Sequence, residues 1–319
     1  MAAATGIEAT VRDRLGDRLT LAAFLVTVLL GGLNFVAVRF SNRELPPFWG
    51  AGLRIGAAAL VLLAVASIQR LQFPRGRALL GASIYGLLGF GGSYALGYWA
   101  ILYIPAGLAA VILASAPLFT FVLAVVQGLE RFQWRGLLGA VLAITGIALT
   151  SLGSVGGAVP FWPLLAALGM ALCFAEASII IKRFPASHPV STNVVAMAVG
   201  AVVLLGLSTL RDEARILPAQ TSTWVALLYL ILLGTSAVFV LFLFVLKRWS
   251  ASTIAYQFVL FPLVAVAASS LLEGTPVTMG LLLGGGLILG GVYVGVVAPG
   301  APPQPHPRMG SEPCTSCPT

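Results

Sequence analysis

The sequence predicts an all-α integral membrane protein of ten transmembrane helices, arranged as two inverted five-helix repeats with both termini in the cytoplasm. Of its 319 residues 59% are hydrophobic and 9% are charged, against roughly a quarter charged in a soluble domain. Arg77 and Glu130 enclose 52 residues without Asp, Glu, Lys or Arg, and Arg135 and Glu176 enclose another 40. Each block holds two bilayer crossings of about 20 residues. The 36 glycines suit helices that must approach closely in lipid. This composition excludes soluble enzymes, nucleic-acid binders and disulfide scaffolds.

A cytoplasmic segment, 1–18, comes first. Glu8, Asp13 and Asp17 interrupt it, so it does not read as a cleaved secretory leader. Apolar segments then run over 19–40, 47–68, 79–102, 107–128 and 135–152, making a first repeat of 19–152. Five more, 162–182, 190–210, 224–246, 252–271 and 277–297, make a second repeat of 162–297. Most connections are under a dozen residues, which leaves no room for a folded extramembrane domain. The tail, 299–319, is rich in Pro, Gly and Ser and is expected to be disordered and cytoplasmic.

Lys and Arg set the orientation. With the amino terminus inside, 13 of the 18 basic residues are cytoplasmic, four are external (Arg39, Arg43, Arg211, Arg215), and Arg54 lies within a span. The net charge of +8 then reports topology and contact with anionic membrane lipids, with no nucleic-acid partner required. Cys314 and Cys317 lie in the tail with only His306 nearby, short of a four-ligand site. No metal, no cofactor and no catalytic residue is expected. ATP-binding loops and spaced Ser/His/Asp sets are also missing.

The halves echo each other at a shift of 145. Residues 101–119 align with 246–264, matching Ala106 with Ala251, Ala110 with Ala255 and mid-helix Pro117 with Pro262; Glu130 and Glu273 follow with a two-residue slip. Five spans per half force the second copy to be inverted, as in alternating-access carriers.

The runs LLGGLNFVAVRF, PPFWGAGLRIGAAAL, YWAILYIPAGLAAVILASAPLFTFVLAVVQGLERF and GLLGAVLAITGIAL resemble the EamA domain of the drug/metabolite transporter superfamily. The second half is similar to a more diverged copy, with Glu176 and Asn193 where the N-F-V and L-R matches fall in the first. The resemblance implies a ten-helix carrier with a central cavity, lined mainly by helices 1, 3, 4, 6, 8 and 9, that exports small metabolites or toxic compounds.

Polar groups within spans are expensive and therefore candidates. Glu176, the only acid inside a helix, either faces the substrate path or pairs with Lys182 or Arg183. Asn34, offset by 142 from Glu176, either lines the cavity or bonds a neighbouring helix. Tyr94 and Tyr98 share a helical face, and with Phe239, Tyr256 and Gln257 they complete the cavity candidates. Arg54 is read chiefly as structural, snorkelling outward or paired with Glu44, with substrate contact as the alternative. Pro117 and Pro262 either kink a gate or shape packing. Small residues at four-residue spacing, such as Gly286 and Gly290, serve packing within a monomer or a homodimer seam.

The resulting expectation is a secondary carrier in a bacterial-type inner membrane that exports amino acids or related small metabolites. Its rivals are a multidrug exporter, an importer of similar solutes, a channel and a lipid-headgroup enzyme. Reporters fused after Arg75, Arg131 and Arg183 should read cytoplasmic, and those at Gly156 and Glu273 external; an external reading at Arg75 would invert the topology.

Overall fold

A computed structural model describes residues 2–128, 132, 134–152, 160–246, 251–274 and 276–294. Glu130 and the tail therefore lie outside the described residues. Among the described residues every regular element is helical. Seven helical stretches are long and apolar enough to cross a membrane: Arg18–Ser41, Pro47–Ile68, Arg77–Ile101, Ala106–Val126, Phe161–Lys182, Pro189–Leu210 and Thr221–Phe242. Shorter apolar helices cover Trp134–Ala143, Leu260–Glu273 and Met279–Gly291. Large apolar side chains such as Leu60, Val202 and Leu210 stand exposed around the molecule, at 67%, 71% and 80%. That surface requires a hydrocarbon surround.

The first half comprises α1 (Ala2–Ser41), α2 (Pro47–Ile68), α3 (Arg77–Gly86), α4 (Ser93–Ile101), α5 (Ala106–Leu113), α6 (Ala116–Val126) and α7 (Trp134–Leu152). The second comprises α8 (Phe161–Lys182), α9 (Pro189–Leu210), α10 (Thr221–Leu228), α11 (Val238–Leu246), α12 (Ala251–Glu273) and α13 (Met279–Val292). A π-helical segment, Leu87–Gly92, joins α3 to α4 as one rod, and another, Tyr229–Ala237, joins α10 to α11. The two begin 142 residues apart, in corresponding places of the two halves. Prolines start several helices: Pro47 and Pro189 occupy the first turns of α2 and α9, where the missing N–H removes no bond.

The two prolines singled out by the repeat behave differently. Pro262 lies buried inside the unbroken α12. Pro117 is not mid-helix as expected. It sits in the first turn of α6, because the rod breaks at Ala114 and Ser115, and Ser115 Oγ donates to the Ile112 carbonyl at 2.6 Å.

Packing follows the same two-fold logic. The α2–α9 and α7–α13 pairs are extensive, α1 packs on α11 and α12, and α8 packs on α4 and α6. Exchanging the halves maps these contacts onto themselves. The central core, including Ile55, Leu62, Ile104, Met197, Leu204 and Leu230, lies where α1, α2, α4, α9 and the second π segment meet. Small residues set the closest approaches. A Cβ on Gly86 would lie 2.3 Å from the Ala196 carbonyl oxygen, whereas one on Gly206 would meet nothing within 4 Å. Gly89 of the first π segment and Gly97 of α4 face Ala177 and Met170 of α8, so these small residues serve packing within the chain.

Gly86→Ala should therefore destabilise the folded protein by about 1–3 kcal/mol through backbone displacement. Gly206→Ala should be neutral or stabilising by up to about 1 kcal/mol from helix propensity alone. Melting temperatures in detergent report both.

Candidate functional site

The second π segment is the seat of the site. A π turn replaces the α-helical i→i+4 bonds by i→i+5 ones and so shifts the backbone register. The Gly234 carbonyl accepts from Asn34 Nδ2 of α1 at 2.8 Å and from Arg54 Nη2 of α2 at 3.4 Å. A Cβ on residue 234 would overlap Asn34 Oδ1 at 1.9 Å, so only glycine fits this close approach. The Arg54 Nε donates to Thr235 Oγ1 at 3.0 Å and its Nη1 to the Tyr98 hydroxyl at 3.4 Å. The guanidinium carbon stands 5.3 Å from the centre of the Tyr94 ring. Tyr229, at the head of the π segment, donates to the Leu30 carbonyl at 2.7 Å and ties it to α1.

Helix 3 contributes an aromatic column. Tyr85, Phe90, Tyr94 and Tyr98 have successive ring centroids 5.7, 5.7 and 6.3 Å apart. The last two steps span four residues, as an α-helix requires. The first spans five, which keeps one face only because the first π segment intervenes. Asn42 Nδ2 donates to the Tyr98 carbonyl at 3.0 Å and fixes the column's end.

Asn34, Tyr94 and Tyr98 thus meet as one cluster, and Arg54 joins them at its centre, 3% exposed. The expected outward-reaching Arg54 or Arg54–Glu44 pair is not formed. Arg54 points inward, while the Glu44 carboxylate accepts from the backbone N–H of Ala219 at 2.6 Å and of Gln220 at 3.2 Å. The only ion pair among the described residues joins Arg39 Nε to Glu273 Oε1 at 3.3 Å. Glu176 is also apart from the cluster. Its Oε2 accepts from Gln127 Nε2 at 2.7 Å, and Gln127 Oε1 in turn accepts from Arg183, so an amide relay replaces the expected direct pair with Lys182 or Arg183. Phe239 packs beside the central core and Gln257 is buried in α12. The Tyr256 and Pro117 side chains lie outside the described residues.

Two polar partners, Thr235 and Tyr229, were missed from sequence although they sit in an apolar span. The polar-in-span test that selected Asn34 selects them equally. No group of three or more His, Cys, Asp or Glu suited to a metal occurs among the described residues. An apolar cavity of about 570 Å³ is lined by Trp99, Trp162, Leu96 and Leu207 with Arg211, and shares none of its lining with the cluster.

Three contacts tie helix ends together. Arg39, at the end of α1, binds Glu273 at the end of α12 and the Ile104 carbonyl at 2.9 Å. Arg183, just after α8, binds Gln127, just after α6. The two arginines are 144 residues apart, so each half ties the end of its first helix to the corresponding helix of the other half. In addition, Glu213 accepts from the Trp49 N–H at 2.8 Å and the Phe48 N–H at 3.3 Å, capping α2 from the α9–α10 connection.

The sequence profile of the EamA-like transporter family matches residues 18–152 and again 161–297. The chain belongs to that family. It is 30% identical over 283 residues to the "probable amino-acid metabolite efflux pump" of Salmonella typhimurium, covering 85% of this chain and 93% of that one. It is 26% identical over 260 residues to YedA of Escherichia coli K12, described as an uncharacterized inner membrane transporter, covering 79% and 82%. A solved crystal structure, 18% identical, superposes with a TM-score of 0.61 over 88% of this chain and 97% of its own, a likeness of fold. EamA-like membership makes this chain a multi-pass membrane transporter that acts on small molecules.

The hydrogen bond from the Ala219 N–H, more than any other contact, holds the Glu44 carboxyl below its usual 4.5. A depressed folded value means that the latch contributes fully above that pH and is lost as pH falls through the lower folded value. The melting temperature in detergent should be lower in Glu44→Ala than in the wild-type chain at pH 7. The difference should close on acidification below 4.5.

Proposed function

We propose that this chain is a secondary carrier that exports amino acids or related small metabolites across a bacterial inner membrane by alternating access. In this reading ten spans form two inverted repeats, 19–152 and 162–297, with both termini cytoplasmic. The observation that carries it is the pair of repeat-equivalent arginine tethers, Arg39 to Glu273 and Arg183 to Gln127, with the Asn34, Arg54, Tyr94 and Tyr98 cluster between them. Inverted repeats put the tethers at opposite faces of the membrane, where opening one while the other holds exposes the cluster to one side at a time. Glu176 then belongs to the cytoplasmic gate through its amide relay. The amino-acid assignment is supported by the name of the Salmonella relative and by a cluster that offers both donors and acceptors.

Inside-out vesicles from cells expressing the chain should accumulate labelled amino acids, and exporter-deficient cells should survive higher concentrations of them. Vesicles that move no solute while turning over lipid would overturn the carrier reading. Glu176→Gln should change initial flux by about tenfold, the worth of one charge-assisted hydrogen bond, at unchanged folded yield. Unchanged flux would remove the residue from the gate.

A further inference from the structure

We infer that Arg54 is the carboxylate-binding residue of the transport path, so that the solute carried is a small organic acid, with a zwitterionic amino acid the best fit. This rests on the carrier reading above and assigns the substrate class of its cluster. Arg54 lies seven residues into α2, about 10 Å from the helix end, and is 3% exposed. No carboxylate among the described residues pairs with it, and the nearest acid in sequence, Glu44, is occupied by backbone N–H groups at 219 and 220. Its partners are neutral: one hydroxyl at 3.0 Å, and another hydroxyl and a carbonyl at 3.4 Å. Charge-assisted contacts to a carboxylate are shorter, about 2.7–2.9 Å. A guanidinium has five N–H donors, and three contacts leave two for an incoming ligand. A buried cation without a counter-charge is held at a cost that an anionic ligand relieves.

The second half of the molecule shows that packing does not demand this arginine. The corresponding interface joins α9 and α8 to the first π segment, and it closes on uncharged groups. Gly200 meets Phe90, Gly86 meets Ala196, Gly91 meets Val203 and Gly92 meets Cys173. The α9 side of that interface is thus packed without a guanidinium, which is an addition to one side only.

The ligand's further features follow from what surrounds the fork. One cation matches one negative charge, which favours a carboxylate over a phosphate dianion. Asn34 Oδ1, buried and without a hydrogen-bond partner, sits on the same glycine and is an acceptor suited to an α-ammonium. Tyr94, half-buried, provides an aromatic wall for an apolar body. In the closed arrangement Tyr98 and the Gly234 carbonyl hold the positions that substrate oxygens take when the helices part.

Counterflow into proteoliposomes holding the full chain tests this, using L-leucine, L-phenylalanine and L-threonine against their amides, with ethidium as a carboxylate-free cation. The acids should exchange about tenfold or more better than the amides. Arg54→Gln should abolish exchange of the acids, and Arg54→Lys, which keeps charge but loses the fork, should weaken it. The comparison of acids with amides uses the unaltered protein, so it stands even where a variant fails to fold. Amides exchanging as well as acids, or full acid exchange in Arg54→Gln, overturns the inference. Exchange of ethidium alone overturns it while leaving a carrier, and exchange of no solute overturns the carrier reading itself.

Discussion

Removing a guanidinium from water costs several kcal/mol unless oxygen atoms replace its hydration, and the centre of this protein is arranged around that demand. Arg54 of α2 takes its acceptors from α4 and from the second π segment, while Asn34 of α1 shares the Gly234 carbonyl. Four separate parts of the chain are thereby fixed relative to one another. That carbonyl lies within the π segment, and residue 234 is glycine because Asn34 leaves no space for a Cβ. The aromatic column then closes the remaining side and keeps water from the charge.

Around this centre the fold is nearly two-fold, and its departures from that symmetry are chemical. Both halves insert a π segment at corresponding places, and both tie their first helix to the other half through an arginine. One tether ends on a carboxylate that is 5% exposed, and the other on an amide that passes the interaction to Glu176. One π segment supplies the Gly234 carbonyl and the Thr235 hydroxyl to Arg54, and the other carries only leucine, glycine and phenylalanine. Two conformations that exchange the roles of the halves therefore differ in energy, because the contacts broken and formed are not equivalent.

Membrane character and family resemblance were legible in the sequence because both are carried by long stretches of it: uncharged blocks, and runs such as YIPAGLAAVILASAPLF. The Tyr94 and Tyr98 pair was legible because four is a helical spacing. Tyr85 and Phe90 were not, since five residues is no α-helical period and a π segment has no residue signature of its own. Arg54 was misread because Glu44, ten residues away, looked like its counter-charge, whereas the groups that bind each are 175 and 176 residues distant for Glu44 and 44 to 181 for Arg54. Glu176 drew notice as the lone acid in a span, but its partner Gln127 is an uncharged residue just beyond another helix, and nothing local links the two.

The first π segment has a consequence for how this chain is compared with others. It is a helix carrying one surplus residue, so Tyr94 and Tyr98 lie over Phe90 and Tyr85 only while that residue is present. Losing it would rotate everything after Gly92 by about 100° relative to everything before Leu87, at 3.6 residues per turn. A relative with one residue fewer between Gly86 and Ser93 would then have the same fold and length of span but a different wall facing its interior. A gap at that point in an alignment would separate subfamilies by the face they present to solute, even where overall identity across the helix is unchanged.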